Sequence, residues 1–264
     1  MNRPARLPAV LVVPAVIGFG FLLLPLIGLL QRTPWTGLPD LLGDKVVLQA
    51  LRLSMVTAAC STVISVLVGV PLAWMLARVH FPGRRLARAL VTLPLVLPPV
   101  VGGVALLYAF GRRGLFGPLL TDAHLSLAFS TTGVVLAQTF VSMPFLIVAV
   151  EGALAGLDDR FEEAAATLGA SPWTTFRRVT VPLIGPSIGA GATLAFARAL
   201  GEFGATITFA GNVPDRTQTL PLATYIALEN NPESALALAL VLLAVSVLLL
   251  LLLRERWLRP GPRR

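Results

Sequence analysis

The sequence predicts an all-α integral membrane protein with about six transmembrane helices, and its composition is the first indication. Of the 264 residues, 56% are hydrophobic and only 13% are charged, whereas soluble domains carry about 25% charged residues. The mean hydropathy is +0.82. The charged residues also cluster between long apolar segments, as expected for a chain that crosses a bilayer repeatedly. We predict a single transmembrane domain over residues 1–264.

Six apolar windows account for the predicted helices, because each can supply the roughly 20 residues that cross the hydrocarbon. Five windows are free of charged residues except at their ends, and the sixth is interrupted only by Arg198 and Glu202. The first window is longer than the apolar part of a secretory signal peptide, about 7 to 15 residues, so it is expected to remain as a span. The expected spans are 8–31, 50–77, 88–111, 127–150, 182–211 and 234–253.

The distribution of basic residues predicts that both termini lie in the cytoplasm. With the N-terminus inside, the inner connecting segments contain 14 basic residues and the outer ones contain 5. Basic residues are preferentially retained on the cytoplasmic side. The cluster from Arg254 to Arg264 fits this orientation, and it can serve as a topology anchor or as a contact for anionic lipids.

The longest polar segment, residues 155–181, is therefore cytoplasmic and is predicted to form two short helices. Asp159 and Glu162 have the spacing of a capping box at the start of the first helix. Gly169 can end this helix, and Ser171 before a proline is a typical start for the second. Such a pair can lie on the membrane surface or contact another protein. We favour a protein partner, because the first helix is acidic and the inner leaflet is negatively charged.

Residues 163–182 contain a motif of acidic, small and apolar residues at fixed spacing. It reads Glu163-Ala164-Ala165, three residues, Gly169, nine residues, Val179, one residue, Val181-Pro182. The motif resembles the EAA motif of bacterial ABC importer permeases, in which isoleucine and leucine usually occupy the two valine positions. The resemblance implies that this segment forms coupling helices that dock on a separate ATP-hydrolysing subunit. The coupling residues that it implies are Glu163, Ala164, Ala165, Gly169, Trp173 and Pro182.

The chain itself carries no recognisable ATP-binding loop. Lys45 is its only lysine, and it does not lie in the Gly-Lys-Ser/Thr sequence of a Walker A loop. We therefore predict that the chain is not an enzyme and that a partner subunit hydrolyses ATP. This division of labour agrees with the resemblance to ABC importer permeases.

Three stretches in the last third narrow the resemblance to the oxyanion permeases. They are Ala197-Arg198-Ala199-Leu200-Gly201-Glu202-Phe203-Gly204-Ala205-Thr206, then Phe209-Ala210-Gly211-Asn212, then Arg216-Thr217-Gln218-Thr219-Leu220-Pro221. They are similar to molybdate or tungstate permeases. Sulfate and thiosulfate permeases share the Gly-Glu-aromatic-Gly core and the Ala-Gly-Asn turn, so they are the alternative. The third stretch favours molybdate, and Leu93–Pro99 followed by Gly102-Gly103 is similar to the third span of the same group.

One pair of charged residues within a predicted span is a candidate for the translocation path. Arg198 and Glu202 are four residues apart, so on a helix they share a face and can pair at membrane depth. They can form a gate or an anion contact near the outer surface, or they can only neutralise each other and fix helix packing.

Glycine and proline residues near the expected path are further candidates. Gly201 and Gly204 permit close approach between helices, which is their usual role in membranes. Pro98 and Pro99 are expected to kink the third span. A kink can remain a packing feature, or it can turn backbone carbonyls toward a water-filled path.

The sequence argues against several other classes of protein. The net charge of +8 comes from arginines spread between spans rather than from one polar face, so no nucleic-acid partner is expected. Cys60 is the only cysteine, and the two histidines lie apart, so neither a metal site nor a cofactor is expected. A secondary transporter needs coupling carboxylates and usually an inverted repeat. An intramembrane metalloprotease needs a His-Glu-x-x-His motif, which the sequence lacks.

The family resemblance also implies an assembly and a location. A second copy of the chain, cytoplasmic ATPase subunits and an external solute-binding protein are the implied partners, together with membrane lipid. The implied location is the cytoplasmic membrane of a bacterium or archaeon. A passive scaffold or receptor would have no use for the coupling motif.

Overall fold

The structure, a computed structural model, describes residues 9–257, and regular secondary structure in this range is helical. Five helices are long and apolar enough to cross a membrane, and a sixth span results if the bent pair α4–α5 is counted as one. The predicted all-α membrane fold is confirmed. The elements are α1 (Ala9–Arg32), α2 (Leu38–Leu42), α3 (Lys45–Arg78), α4 (Arg84–Thr92), α5 (Pro99–Phe110), α6 (Gly117–Asp122), α7 (Thr131–Ala155), α8 (Arg160–Thr167), α9 (Pro172–Thr175), α10 (Val181–Leu200), α11 (Gly204–Phe209), α12 (Leu220–Asn230) and α13 (Pro232–Trp257), with a 3-10 turn at Leu93–Leu95 and a π-helical turn at Phe176–Thr180.

The centre of the bundle consists of α3, α7 and α10. These helices approach closely at glycines: a Cβ atom on Gly191 of α10 would lie 3.2 Å from the Cα atom of Leu146 in α7. Leu76, Leu146, Ile147 and Leu154 are fully buried where the three helices meet. Because lipid removes the hydrophobic force between spans, such close packing is what holds the helices together.

Hydroxyl groups add polar contacts between α3 and α7 inside the bundle. The Ser61 and Ser142 hydroxyl oxygens lie 3.2 Å apart, and the Thr139 hydroxyl donates to Ser61 Oγ at 3.2 Å. Further toward the N-terminus of α3, the Ser54 hydroxyl accepts a hydrogen bond from the backbone N–H of Leu220 at 2.7 Å. These contacts fix α3 against both α7 and the start of α12.

The outer parts of the bundle are covered to different degrees. Helices α12 and α13 pack on the first half of α3 through residues such as Val47 and Leu238. Helices α5 and α11 pack on α7 around the fully buried Phe209. In α1, by contrast, no residue of the apolar window is buried, whereas 61% of the corresponding window in α7 is buried.

The third and fifth predicted windows are not straight helices. Within 88–111, the segment Arg84–Leu95 and helix Pro99–Phe110 meet at an angle of 115°. The break occurs where Pro98 and Pro99 follow each other, because proline lacks an N–H group and disfavours helical backbone in the residue before it. Within 182–211, the helix ends at Leu200, and α11 begins after three further residues.

Candidate functional site

The predicted cytoplasmic hairpin is formed by α8, a short turn and α9, and the π-helical turn then leads into α10. We call residues 158–180 the coupling hairpin. Gly169 lies at the turn with a φ angle of +80°. Its N–H donates to the carbonyl of Ala166 at 2.9 Å, and the N–H of Ala170 donates to the carbonyl of Ala165 at 3.0 Å. This is the hydrogen-bond pattern of a Schellman motif, so the prediction that Gly169 ends the first helix is confirmed.

The predicted start of the second helix, with Ser171 as its cap, is confirmed. The first helix does begin after Asp159, but the predicted capping box is wrong. The Ser171 hydroxyl accepts from the N–H of Thr174 at 3.2 Å, as an N-cap should. Asp159 precedes α8 but makes no capping hydrogen bond with its side chain. Its carboxylate instead lies 2.6 Å from Nη1 of Arg78 at the end of α3. A guanidinium carries a full positive charge and therefore attracts the carboxylate in a way that a backbone N–H does not, and the helical pattern gave no indication of Arg78.

Several apolar side chains of the coupling hairpin are exposed. Leu168 is 88% exposed and Trp173 is 66% exposed, and Phe161 is also largely exposed. Glu163 and Ala164 lie on the exposed side of α8. Large apolar side chains next to acidic ones on a polar loop are typical of a protein-contact surface rather than of a solvated loop.

The other predicted coupling residues have different positions. Ala165 is half-buried and supplies a carbonyl to the turn that contains Gly169. Pro182 is exposed at the start of α10, directly after the π-helical turn that ends at Thr180. The motif therefore combines residues that shape the hairpin with residues that a partner can contact.

A pocket of about 340 Å³ lies between the coupling hairpin and α3. Trp74 of α3 contacts Phe176 with their rings 5.7 Å apart and nearly perpendicular, and Phe176 stacks on Trp173 at 5.8 Å. Sequence reasoning missed Trp74 and Arg78, because Trp74 lies in a predicted span and Arg78 directly follows it, more than 80 residues before the motif. The pocket is lined by Trp74, Glu162, Ala166, Ala170, Pro172, Thr175, Phe176 and Thr180.

The predicted pairing of Arg198 with Glu202 is present at the end of α10. Arg198 Nη1 lies 2.5 Å from Glu202 Oε2, and Glu202 is only 1% exposed. The other carboxylate oxygen of Glu202 accepts from the N–H of Ala205 at 2.7 Å, in the first turn of α11. Each oxygen of the buried carboxylate therefore has a partner, which lowers the cost of placing a charge inside the protein. Glu202 joins the end of one helix to the start of the next.

The break in the third span lies against this region. A Cβ atom on Gly204 would lie 2.9 Å from Pro99 Cβ and 3.1 Å from the N atom of Val100. The structure thus brings Pro99, Gly204 and Glu202 together, and Pro98 directly precedes this contact. Gly201 is different, because a Cβ atom there would meet, among residues 9–257, only the carbonyl oxygen of Ala197 at 3.7 Å. Close helix approach is therefore a property of Gly204 and not of Gly201.

A second close approach, at Gly103 of α5, was not among the predicted site residues. A Cβ atom there would lie 2.7 Å from Thr208 Cβ and 2.8 Å from the carbonyl oxygen of Ala205, both in α11. The paired glycines 102 and 103 in the sequence are the only signal that could have indicated it. Among the described residues, no group of three or more His, Cys, Asp or Glu side chains could hold a metal ion.

Comparison with known proteins agrees with this geometry. The family described as "Binding-protein-dependent transport system inner membrane component" matches residues 69–263. The chain is 50% identical to the molybdenum transport system permease protein ModB of Mycobacterium tuberculosis over 237 residues, which cover 90% of each chain. It is 38% identical to the probable sulfate transport system permease protein cysT of Marchantia polymorpha, over 83% of this chain and 78% of that protein.

The fold also occurs in a solved structure. A chain in the crystal structure of a bacterial alginate ABC transporter, in complex with an alginate pentasaccharide-bound periplasmic protein, superimposes with a TM-score of 0.76. The superposition covers 95% of this chain and 93% of that one, at 18% identity, and so establishes the fold alone. The match over residues 69–263 and the 50% identity to a permease show that the chain belongs to the family of binding-protein-dependent transport system inner membrane components, the permease subunits of ABC importers.

Proposed function

We propose that this chain is the permease subunit of an ATP-driven importer of molybdate or the chemically similar tungstate. The observation that carries the proposal is the 50% identity to a molybdenum permease over 90% of both chains. The identity to the sulfate permease of Marchantia polymorpha is lower, 38% over 83% of this chain. A sulfate or thiosulfate importer is the second candidate, because that relative shares most of the chain.

The partners follow from the family and from the surface of the coupling hairpin. A component of a binding-protein-dependent system works with a solute-binding protein outside and an ATPase inside. The exposed Leu168 and Trp173 provide an apolar contact for the ATPase, and Glu163 and Ala164 lie on the exposed part of α8 beside it. We infer that these residues, with Gly169 shaping the turn, form the coupling surface.

The translocation path is proposed to lie between two copies of the chain. The region in which Glu202, Gly204 and Pro99 meet is the candidate gate, with Arg198 as the neutralising partner of Glu202. ATP binding would bring the ATPase subunits together, and the coupling hairpin would pass this movement to α10, with which it is continuous. The gate would then open alternately toward each side of the membrane.

The orientation and location complete the proposal. The chain is a multi-pass protein of the inner membrane, and we propose that its coupling hairpin and both termini face the cytoplasm. The basic residues favour this arrangement, since the inner segments contain 14 of them and the outer segments 5.

Cellular molybdenum content tests the proposed substrate. A strain without this chain, grown at limiting molybdate, is expected to contain much less molybdenum than the parent strain, and restoring the chain should restore the content. Sulfate uptake is measured in parallel and should be unchanged. Loss of sulfate uptake with normal molybdenum content would contradict the molybdate proposal and support the second candidate.

A further inference from the structure

The cytoplasmic end of α3 carries two side chains that contact the coupling hairpin. Trp74 and Arg78 are four residues apart and therefore lie on one face of the helix, one turn from each other. Arg78 is largely enclosed, with 18% of its side chain exposed. Its guanidinium lies 2.6 Å from Asp159 Oδ1 through Nη1, and 3.3 Å from Glu162 Oε2 through Nε. One cation of α3 thus contacts two carboxylates at the start of α8.

Glu162 extends this contact to the other arm of the hairpin. Its Oε1 atom accepts a hydrogen bond from the Thr180 hydroxyl at 2.6 Å. Thr180 is buried and ends the π-helical turn immediately before α10. The polar chain Arg78, Glu162, Thr180 therefore connects α3 to both arms of the coupling hairpin.

Aromatic contacts run beside the polar chain. Trp74 packs edge-on against Phe176, which stacks on the exposed Trp173. Helix α3 therefore contacts Phe176, and Phe176 contacts Trp173, which is expected to bind the ATPase. Movement of Trp173 by a partner would reach α3 through only one intervening ring.

The end of α3 is itself fixed to the rest of the bundle by α4. Arg84 donates to the carbonyls of Leu76 and Ala77 at 2.6 and 2.8 Å, where α3 has lost its helical hydrogen-bond partners. Arg88 of α4 forms an ion pair with Glu151 near the end of α7. The last turn of α3 is consequently joined to α4 and α7 as well as to the hairpin.

We propose that Arg78 is the positioning residue that sets the orientation of the coupling hairpin on α3 and passes hairpin movement to the central bundle. Arg78 acts through Asp159 and Glu162 and does not contact the transported anion. The inference rests on the proposed function as an ATP-driven importer, and it adds a second mechanical connection, through α3, to the direct one through α10. A guanidinium suits this role because two of its nitrogen atoms, Nη1 and Nε, each face one carboxylate, whereas a lysine has a single nitrogen atom at its end.

The test uses the complete transporter in proteoliposomes, with the ATPase, the binding protein and molybdate. The measured quantity is the number of ATP molecules hydrolysed per molybdate taken up. We expect Arg78→Gln to raise this ratio about fivefold or more. A factor of about five corresponds to the lower end of the usual coupling free energies between two sites. Glu162→Gln should raise it in the same direction, and the double variant should be no worse than the poorer single variant, because both changes break one network.

Arg85→Gln is the matched control, since Arg85 is exposed and forms no ion pair with any described residue. Its ratio should equal that of the wild type. Arg78→Lys retains the charge without the fork and should give an intermediate ratio, which supplies a second measurement if Arg78→Gln assembles poorly.

The outcomes separate the possible failures. If Arg78 only stabilises the hairpin, uptake and hydrolysis will fall together and the ratio will stay at the wild-type value, which would overturn the inference. Equal changes in Arg78→Gln and Arg85→Gln would also overturn it. If the wild-type complex takes up no molybdate, the proposed function fails and the inference fails with it, whereas normal wild-type uptake leaves only the inference at stake.

Discussion

Gly169 shows how one backbone position can determine the shape of a functional surface. Its φ angle of +80° lies in the left-handed region, and no atom lies within 4 Å of the place where a side chain would begin. Space is therefore available, and conformation alone requires glycine. The turn connects the exposed Leu168 to the start of α9. The residue can thus be part of the coupling motif without touching a partner.

Gly169→Ala is expected to impair coupling by straining this turn. A side chain at this φ angle costs roughly 1–2 kcal/mol, which is enough to loosen a hairpin of two short helices. Molybdate uptake should fall more than ATP hydrolysis, while the amount of protein in the membrane stays the same. Gly156→Ala is the matched control, because Gly156 follows α7 with a negative φ of −90°. Equal uptake by the two variants would contradict this account.

At the scale of helices, α5 and α11 meet at a contact that leaves no room for a side chain. Gly103 would place a Cβ atom 2.7 Å from Thr208 Cβ and 2.8 Å from a backbone oxygen. Backbone cannot move aside as a flexible side chain can. Position 103 therefore requires glycine because of its small volume, whereas position 169 requires glycine because of its backbone conformation.

The same substitution is therefore expected to have opposite effects in two helices. Gly103→Ala should destabilise the protein by about 1–3 kcal/mol through overpacking. Gly152→Ala, in α7, meets nothing within 4 Å and should stabilise its helix by about 0.5–1 kcal/mol. Thermal unfolding of the purified variants in detergent measures both effects. A lower melting temperature for Gly152→Ala than for Gly103→Ala would refute the packing argument.

The helices were predictable to different extents. Windows of apolar residues located the spans, because the requirement for about 20 apolar residues acts on the sequence directly. They did not locate the end of α10 at Leu200, since residues 203–211 continue the window without a further charge, whereas the helix stops where Glu202 turns to cap α11. The prolines at 98 and 99 predicted a kink, but they predicted neither its angle of 115° nor the close approach of Pro99 to Gly204.

At the scale of the whole molecule, the sequence predicted those parts of the candidate site that local patterns determine, but not the contacts between distant residues. Capping residues and Gly169 predicted the two short helices, and the resemblance to the EAA motif implied their coupling role. The ion pair of Asp159 with Arg78 joins residues 81 positions apart, so local patterns assigned Asp159 to a capping role instead. Local sequence patterns do not predict contacts that depend on how helices pack, even when each residue involved is easily recognised in the sequence.

The orientation of the whole chain can be tested by cysteine labelling. In a Cys60→Ser background, Arg113→Cys places a thiol in the exposed loop after α5, and Thr167→Cys places one on the coupling hairpin. A membrane-impermeant maleimide should label position 113 in intact cells whose outer barriers have been removed. Position 167 should react only after the membrane is opened. Labelling of position 167 in intact cells would contradict the proposed orientation and the proposed contact with the ATPase.

The bare surface of α1 has a consequence for how this segment tolerates substitution. None of its apolar window is buried by the rest of the described chain. Over most of α1, side chains must therefore be compatible with hydrocarbon rather than with the shape of neighbouring side chains, and the exception is Leu30, which lines a pocket with α13. Before Leu30, a position in α1 that rejects an exchange among leucine, isoleucine, valine and phenylalanine is consequently expected to contact another subunit.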